Sequence, residues 1–268
     1  MAISYLVALF YCYAQPSQCF SSPCKEAVLS SKYNQALNKT IELEWQLSNV
    51  DVTKIDKNRK LIAFTFDDAP AKTLEQLIAV FLRYNAAHPA APATATIFCN
   101  GCRVRRPVDT ALHTAVAAGF ELGNHTQNHK NLTTLSANEI REEIDKTDKL
   151  LSRYDGNCRH LFRAPYGELN AEVCSAIPAP AISWLIDTLD WTGVSAEAIY
   201  DTVWNRKSSG AIVLMHDGYE NTVTALKRLL PDLYDAGYQA VSVSQMAKTH
   251  QCRLKIGSVY IRARKKTP

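Results

Sequence analysis

Two short motifs carry residue types that together could bind a metal ion and activate water. Residues 65–68 read TFDD and end in two adjacent carboxylates, Asp67 and Asp68, while residues 125–129 read HTQNH and supply two imidazoles. Two imidazoles and one carboxylate are enough to bind one divalent ion, which leaves one carboxylate free. A structural metal site uses all of its ligands, whereas a hydrolytic site keeps an open coordination position with a base beside it. The surplus acid therefore favours hydrolytic chemistry.

Three later segments add further polar motifs. Residues 163–167 read RAPYG, residues 187–191 read DTLDW and residues 214–217 read LMHD. Taken singly, these segments have ordinary explanations as a turn, a packed tryptophan and a partly buried histidine. An H-x-x-x-H pair alone is also a weak indication of metal binding, but adjacent carboxylates repel each other unless a cation separates their roles. The five motifs in this order favour one metal-dependent hydrolytic site.

The residues that separate the motifs alternate short β-rich runs with amphipathic stretches of helical period. Repeated βα units predict parallel strands joined by right-handed crossovers. The predicted strands are 60–66, 94–98, 120–122, 160–163, 181–186, 211–215 and 239–243. The predicted helices are 73–84, 108–118, 136–154, 169–176, 196–205 and 222–236. Ser136 and Glu139 predict a capping box at the start of the third helix.

Each polar motif lies at the C-terminal end of a predicted strand. An α/β barrel collects its catalytic groups at these ends, whereas an open doubly wound sheet concentrates its site at one switch point. Five strand-end motifs therefore favour a barrel. Because about seven strands can be counted, we expect an α/β fold with a distorted, incomplete (β/α) barrel and an active site at the C-terminal ends of its strands.

The overall composition is that of a globular protein with a sizeable core. The chain has 268 residues, 47% of them hydrophobic and 21% charged. A net charge of +4 is mild and suits an acidic polymer surface. Because no basic stripe is interleaved with aromatic residues, we expect no nucleic-acid partner. Nothing indicates a stable protein partner, so we expect a monomer.

Four segments are predicted along the chain. Residues 1–14 form a candidate signal peptide, because residues 2–11 are an apolar run that is too short to span a bilayer. No Lys or Arg precedes this run, as it would in most signal peptides. A buried N-terminal element is therefore the alternative. Residues 15–56 have a mostly helical pattern and no candidate chemistry. Residues 57–250 hold all five motifs, and residues 251–268 are expected to form a C-terminal tail, whose basic cluster of Arg262, Arg264, Lys265 and Lys266 is expected to be solvated. A signal peptide would make the protein secreted or associated with the cell envelope.

The eight cysteines would suit an exported protein. Cys99 and Cys102 have a C-x-x-C spacing, but no second pair follows at zinc-ribbon distance and the next residues resemble a loop. Free thiols or a disulfide are the expected alternatives, and the sequence assigns no pairing. Asn38 and Asn131 begin glycosylation sequons, which matter only in a eukaryotic secretory host.

The five motifs resemble those of the polysaccharide deacetylase family, which is also called carbohydrate esterase family 4 or the NodB-homology domain. The resemblance covers about residues 57–250 in family order, and residues 184–191 and 212–217 are similar to the branch of peptidoglycan N-acetylglucosamine deacetylases. It implies a distorted (β/α) barrel, in agreement with the alternation of elements. One departure is visible: Ala69 stands where the family usually has Gly, which matters if the backbone there needs a positive φ.

The resemblance implies metal-binding and base roles in the first motifs. Asp68, His125 and His129 would bind the metal, and Asp67 would be the general base that activates the attacking water. Arg163 would orient and stabilise Asp67. Zinc is favoured by two imidazoles and one carboxylate, while cobalt and nickel accept the same ligands.

The remaining implied roles belong to the later motifs. His216 would be the general acid that protonates the leaving amine, because histidine titrates near neutrality, and Asp190 would tune it. The backbone N–H of Tyr166 would help to bind the oxyanion. Trp191 and Leu214 would line the pocket for the acetyl group and the sugar.

The resemblance thus implies a metal-dependent hydrolase that removes N-acetyl groups from N-acetylglucosamine residues of a polysaccharide, with peptidoglycan favoured. An acetylxylan esterase and a chitin or chito-oligosaccharide deacetylase with the same site are the alternatives. A sugar-binding module without turnover is a further alternative. Such a module would be expected to lack a catalytic or metal-binding residue, and none is missing.

Overall fold

The computed structural model describes residues 44–105 and 109–264, in which nine strands form one sheet. The strands are β1 (Lys60–Ala69), β2 (Thr96–Cys99), β3 (Glu121–Asn124), β4 (Leu161–Phe162), β5 (Ala181–Ile182), β6 (Ile186–Asp187), β7 (Ala211–His216), β8 (Tyr238–Ala240) and β9 (Val259–Tyr260). The helices are α1 (Leu74–Ala87), α2 (Asp109–Ala117), α3 (Ala137–Asp155), α4 (Ala171–Ala176), α5 (Ala196–Arg206), α6 (Glu220–Asp235) and α7 (Val243–Thr249).

Strand β1 lies at the centre of the sheet because it can be buried on both faces. Every residue from Leu61 to Phe66 is buried, as parallel strands covered on both sides require. β1 pairs with β2, β7 and β8, and the remaining order is β6-β7-β1-β2-β3-β4-β5-β9. All of these pairings are parallel. The sheet and its surrounding helices form an incomplete (β/α) barrel, which confirms the predicted fold class.

The predicted strand 181–186 is divided into β5 and β6 because the chain changes neighbours there. β5 pairs with β4, whereas β6 pairs with β7. The C-terminal segment covers the seam that this change leaves between β5 and β7. On one side β9 pairs with β5, and on the other the N–H of Ala263 donates to the carbonyl of Gly210 at 3.0 Å. The divided strand and β9 explain why the sheet has more strands than the seven expected.

The prediction that residues 251–268 form a C-terminal tail outside the domain is wrong for the part that the structure describes. Leu254 and Ala263 are buried, and β9 is a strand of the sheet. The basic residues at the end of the chain dominated the sequence pattern. Backbone pairing, which does not depend on side-chain polarity, places this segment in the domain.

The helical pattern predicted for residues 15–56 lies mostly outside the described residues, as does the candidate signal peptide. In the described part, residues 44–56 contain turns and no helix, and Glu44 forms an isolated antiparallel bridge with Lys255. The segment packs against the barrel through Ile55, which belongs to a buried apolar cluster with Leu61. The helical prediction therefore fails for this described part.

Caps define where several helices begin. The predicted capping box of Ser136 and Glu139 is present at the start of α3. A second capping box begins at Ser242, so α7 starts where the last strand was predicted to continue, and β8 ends at Ala240. None of the helices in the described ranges has both the length and the apolar character needed to cross a membrane.

Candidate metal centre and active site

Strand order places the first two motifs side by side at one rim of the barrel. β1 and β3 lie on either side of β2, so the end of β1 and the loop after β3 meet beyond the end of β2. Asp68, His125 and His129 each offer one ligand atom there, and these atoms all lie within 4.8 Å of one another. The structure thus brings together the three residues that were predicted to bind metal.

His125 is held in the tautomer that a metal requires. Its ring is buried, and Nδ1 lies 2.8 Å from the carbonyl oxygen of Arg163, which can only accept a hydrogen bond. Nδ1 therefore carries the proton, and the lone pair of Nε2 is free to bind a metal. Burial lowers the pKa of His125 below its ordinary value, although nearby Asp67 acts in the opposite direction. The neutral imidazole is the form that ligates metals.

Asp68 and His129 both have left-handed backbones, with φ of 63° and 54°. The positive φ falls on Asp68 and not on Ala69, so the methyl group of Ala69 causes no backbone strain of the kind that a Gly would relieve. Burial would raise the pKa of Asp68, but His125, a hydrogen bond from Asn100 and His129 lower it below the usual value. Asp68 is therefore an ionised ligand.

The three side chains fit a divalent cation. Two imidazole nitrogens and one carboxylate are a common set for a catalytic zinc site with an open position. Ligand atoms bound to zinc at tetrahedral angles are ~3.4 Å apart, and Asp68 Oδ1 lies 3.5 Å from His129 Nε2. Among the described residues, this is the cluster of His, Cys, Asp and Glu that has metal-binding geometry.

Asp67 lies beside these ligands and is held by Arg163. The guanidinium Nη1 donates to Asp67 Oδ1 at 2.7 Å, and both residues are buried. The other carboxylate oxygen, Oδ2, lies 3.7 Å from His125 Nε2. Arg163 therefore occupies one oxygen of Asp67 and leaves the second facing the metal centre.

Arg163 also closes the inner wall of the barrel at the seam. Its Nε donates to the carbonyl of Ile182 at 2.8 Å and its Nη2 to the carbonyl of Ser183 at 3.1 Å, where the chain passes from β5 to β6. The guanidinium lies over the ring of Phe98, 4.2 Å from its centroid. Burial lowers the pKa of Arg163, with Asp67 opposing this effect. Since an arginine stays protonated in proteins, its charge faces Asp67 permanently.

His216 lies next to Asp67 because the two residues are register partners of β7 and β1. Its Nδ1 lies 2.7 Å from Asp190 Oδ1, and its backbone N–H donates to Asp190 Oδ2 at 2.8 Å. Thr222 also donates to Asp190. Burial lowers the pKa of His216, but the hydrogen bond to Asp190 and the nearby carboxylates raise it above its ordinary value. His216 therefore holds its proton more tightly than an ordinary histidine does.

The turns that follow β4 and β6 carry exposed apolar side chains. Tyr166 is 66% exposed, Trp191 53% and Leu189 47%. The Tyr166 ring packs against His129 with its centroid 4.6 Å away. Leu214, by contrast, is buried in the wall of β7. Of the predicted substrate residues, Tyr166 and Trp191 are therefore exposed and Leu214 is buried.

Sequence reasoning missed several polar residues that hold these loops. Asp217 accepts hydrogen bonds from Ala71 and Thr73, and so ties the segment after Asp68 to the end of β7. Asn100, which follows β2 directly, donates to Asp68. Its position obeys the same strand-end rule as the five motifs, and that rule could have identified it. The C-x-x-C pair is not a disulfide, since Cys99 and Cys102 are both free thiols.

Comparison with known proteins gives consistent matches over this domain. The sequence profile of the family described as polysaccharide deacetylase matches residues 54–179. The peptidoglycan-N-acetylmuramic acid deacetylase PdaC of Bacillus subtilis is 33% identical over 74% of this chain and 41% of its own length. A peptidoglycan-N-acetylglucosamine deacetylase of Bacillus cereus is 32% identical over 73% of this chain and 92% of its own length.

A solved structure has the same fold. The Xyl-CE4 domain of a multidomain xylanase from the hindgut metagenome of Trinervitermes trinervoides superposes with a TM-score of 0.71 at 28% identity, covering 77% of this chain and 98% of that one. The chain spans less than half the length of PdaC. Sequence, strand order and the five motifs agree, and the chain belongs to the polysaccharide deacetylase family.

Proposed function

We propose that this chain is a metal-dependent hydrolase that removes N-acetyl groups from N-acetylglucosamine residues of a polysaccharide, with peptidoglycan as the favoured substrate. The observation that carries the proposal is the placement of Asp67. It is a buried carboxylate with one oxygen bound by Arg163 and the other facing the cluster of Asp68, His125 and His129.

Asp68, His125 and His129 would hold the metal, and zinc is the ion that these donors favour, with cobalt and nickel as alternatives. When bound, the ion supplies Lewis acidity that polarises the acetyl carbonyl and makes water more acidic. The chain supplies the remaining groups.

Asp67 is the proposed base that receives a proton from the attacking water. Its Oδ1 is engaged by Arg163, so Oδ2 is the oxygen that can accept the proton. Arg163 also fixes the plane of the carboxylate, because it is itself bound to carbonyls of the barrel wall. A base positioned in this way contributes on the order of 10²–10⁴ in rate.

His216 is the proposed acid for the leaving amine. Its Nδ1 is bound to Asp190, so Nε2 is the nitrogen available to give a proton to the substrate. The hydrogen bond to Asp190 raises its pKa above the ordinary value, which favours the protonated form that an acid needs. An amine is a poor leaving group unless it is protonated, so this residue matters more for an amide than for an ester.

The remaining roles concern the acetyl group and the sugar. The backbone N–H of Tyr166 would donate to the developing oxyanion, and the left-handed φ of 61° sets the direction of that backbone. Trp191 offers an exposed aromatic face to a sugar ring, and Leu214 backs the acetyl pocket. The names of the bacterial relatives support peptidoglycan as the substrate. A polymer of this kind lies outside the cytoplasm, so a secreted or envelope-associated monomer is part of the proposal.

Acetate release is the direct test. The full chain is incubated with peptidoglycan, chitin oligomers and acetylxylan, each with and without a chelator and after zinc is restored. We expect zinc-dependent acetate release that is highest with peptidoglycan. Absence of chelator-sensitive release from every N-acetylated glycan would refute the proposal.

The second candidate is an acetylxylan esterase, favoured by the likeness to the domain of a xylanase. The His216→Ala variant separates the two, because an alkoxide leaves more readily than a nitrogen that has not been protonated. An amidase should lose far more activity than an esterase. Equal losses on amide and ester substrates would contradict the assignment of His216 as the acid for an amine.

A further inference from the structure

We propose that Asn100 is a positioning residue of the metal centre, which fixes the carboxylate of Asp68 in the orientation that metal binding requires. The inference rests on the metal site of the proposed function and adds a residue that lies outside the five motifs. It concerns the turn formed by residues 100–103, which follows β2 and is called the β2 turn below.

The side chain of Asn100 contacts the metal-binding carboxylate directly. Asn100 is 1% exposed, and its Nδ2 donates to Asp68 Oδ1 at 2.8 Å. The same oxygen lies 3.5 Å from His129 Nε2. Asn100 therefore holds the carboxylate at the edge that faces the imidazole ligand. A neutral donor restrains this group without replacing the cation that it would bind.

The other end of the Asn100 amide shows that fold stability does not explain the residue. Its Oδ1 is buried and has no hydrogen-bond partner among the described residues. A buried acceptor without a partner is destabilising. Rotating the amide would place this oxygen against the Asp68 carboxylate, so the carboxylate fixes its orientation. The side chain of Asn100 therefore leaves its Oδ1 without a partner while its Nδ2 donates to Asp68.

The β2 turn touches both loops that carry metal ligands. Arg103 Nη1 donates to the carbonyl of Asp68 at 2.6 Å, which holds its left-handed backbone. Two backbone N–H groups of the turn donate to the carbonyls of Thr126 and Gln127 at 3.0 and 2.8 Å. A Cβ at Gly101 would collide with the side chains of Gln127 and Thr147, so the turn packs closely against its neighbours. The turn therefore sets the distance between Asp68 and the two histidines.

Asn85 provides a comparison amide with a structural role at a half-buried position. Its Nδ2 donates to the carbonyl of Ala93 at 2.9 Å, and its Oδ1 accepts from the N–H of the same residue. Both ends of this amide are satisfied by backbone, and α1 places it away from the metal ligands. Asn85 should therefore affect stability without affecting metal binding.

The test compares metal affinity and stability in the same variants. Asn100→Leu has nearly the same shape and removes both the donor and the unpartnered acceptor. We expect its zinc affinity, measured by competition with a chromophoric chelator, to fall about 10–100-fold. The melting temperature of the metal-free protein should be unchanged or higher. The visible absorption of the cobalt-loaded variant should change, because the ligand orientation changes.

Asn85→Leu should show the reverse pattern, with a lower melting temperature and unchanged zinc affinity. Arg103→Met and Arg103→Lys provide a second pair that keeps the side-chain stem at a partly exposed position. The first should weaken zinc binding, and the second should retain it because lysine can still donate to the Asp68 carbonyl. This pair tests the turn even if Asn100→Leu does not fold.

If the zinc affinity of Asn100→Leu stayed within about twofold of the wild type, the loss would be far smaller than expected and the inference would be overturned. A lowered melting temperature in the same variant would strengthen that conclusion. That result leaves the proposed function intact if the wild type binds zinc and releases acetate. A wild-type chain that binds neither zinc nor cobalt would instead overturn the metal site and the proposed function together.

Discussion

Two adjacent carboxylates perform different work because their side chains have different partners. Asp67 faces Arg163 and His216, whereas Asp68 faces His129 and Asn100. Consecutive side chains of a regular strand point to opposite faces, and Asp67 follows this pattern. The left-handed φ of Asp68 interrupts the pattern and changes the direction of its side chain. Different partners therefore separate the proposed base from the proposed metal ligand at consecutive positions.

Replacing Asp67 by Asn should abolish base catalysis and spare the metal. The amide still accepts a hydrogen bond from Arg163 but cannot take up a proton. We expect kcat for acetate release to fall about 10²–10⁴-fold, with zinc affinity close to that of the wild type. Activity near the wild-type level would show that another group is the base.

The Asp190→Asn variant should shift the pH profile of the reaction. The carboxylate of Asp190 raises the pKa of His216 through a 2.7 Å hydrogen bond, so its neutralisation should lower that pKa. Because the acid must be protonated, activity falls as pH rises through its pKa, and the alkaline limb of kcat should move to lower pH. Asp201→Asn, which neutralises an exposed residue of α5, is the control and should leave the limb in place. An unshifted limb in Asp190→Asn would contradict the role of His216.

At the scale of elements, helix α3 supports the histidine loop from behind. Asp148 accepts hydrogen bonds from Asn124, which precedes His125, and from His160 at 2.9 Å. Glu143 of the same helix accepts two hydrogen bonds from Asn128 in the loop. The helix thus holds both ends of the HTQNH motif through buried acids.

His160 should make stability depend on pH through this helix. Burial opposes its charge, but hydrogen bonds to Asp148 and Asp155 raise its pKa from 6.5 to about 9. A group whose pKa is higher in the folded state contributes stability that is complete below its unfolded pKa and is lost as pH rises through the folded one. We expect the wild type to have a higher free energy of unfolding than His160→Asn, with the largest difference at pH 6. Much of this difference should be lost by pH 9.

Urea unfolding of the wild type and His160→Asn across this pH range measures the difference in the free energy of unfolding. Groups that titrate equally in both proteins do not contribute to this difference. His113→Asn replaces an exposed histidine of α2 and should give a difference that changes little with pH. If the excess stability of the wild type over His160→Asn grew with pH, the charged state of His160 would be excluded.

At the scale of the whole molecule, the catalytic rim depends on closure of the barrel on its far side. Arg163 bridges the seam from inside, and β9 covers it from the C-terminal segment. The same guanidinium orients Asp67, so the integrity of the wall and the geometry of the base are linked through one residue.

Removing residues 258–268 should lower the melting temperature and reduce activity, although none of the removed residues that the structure describes contributes to the site. The deletion leaves one edge of β5 unpaired and frees the carbonyl of Gly210, which accepts from Ala263. Val259→Thr with Ile261→Thr is the control, because both side chains are 46% exposed and the backbone pairing persists. Thermal unfolding and acetate release measure the two effects. A deletion variant as stable as the control would show that the seam does not need β9.

Much of the fold and the candidate site could be predicted from local pattern. The alternation of apolar and helical runs predicts the barrel, and strand-end motifs predict Asp68, His125 and His129 as neighbours because parallel strands end at one rim. The Ser136 and Glu139 cap was also predictable, since it depends on residues three apart.

What the sequence determined alone was therefore the inventory of chemical groups and the order of the elements, both properties of residue type and spacing. Tertiary structure alone decided the division of strand 181–186 and the incorporation of β9. These features depend on which backbone segments lie side by side. The peptide groups that pair them are the same for nearly every residue type, so the sequence does not reveal which segments will pair.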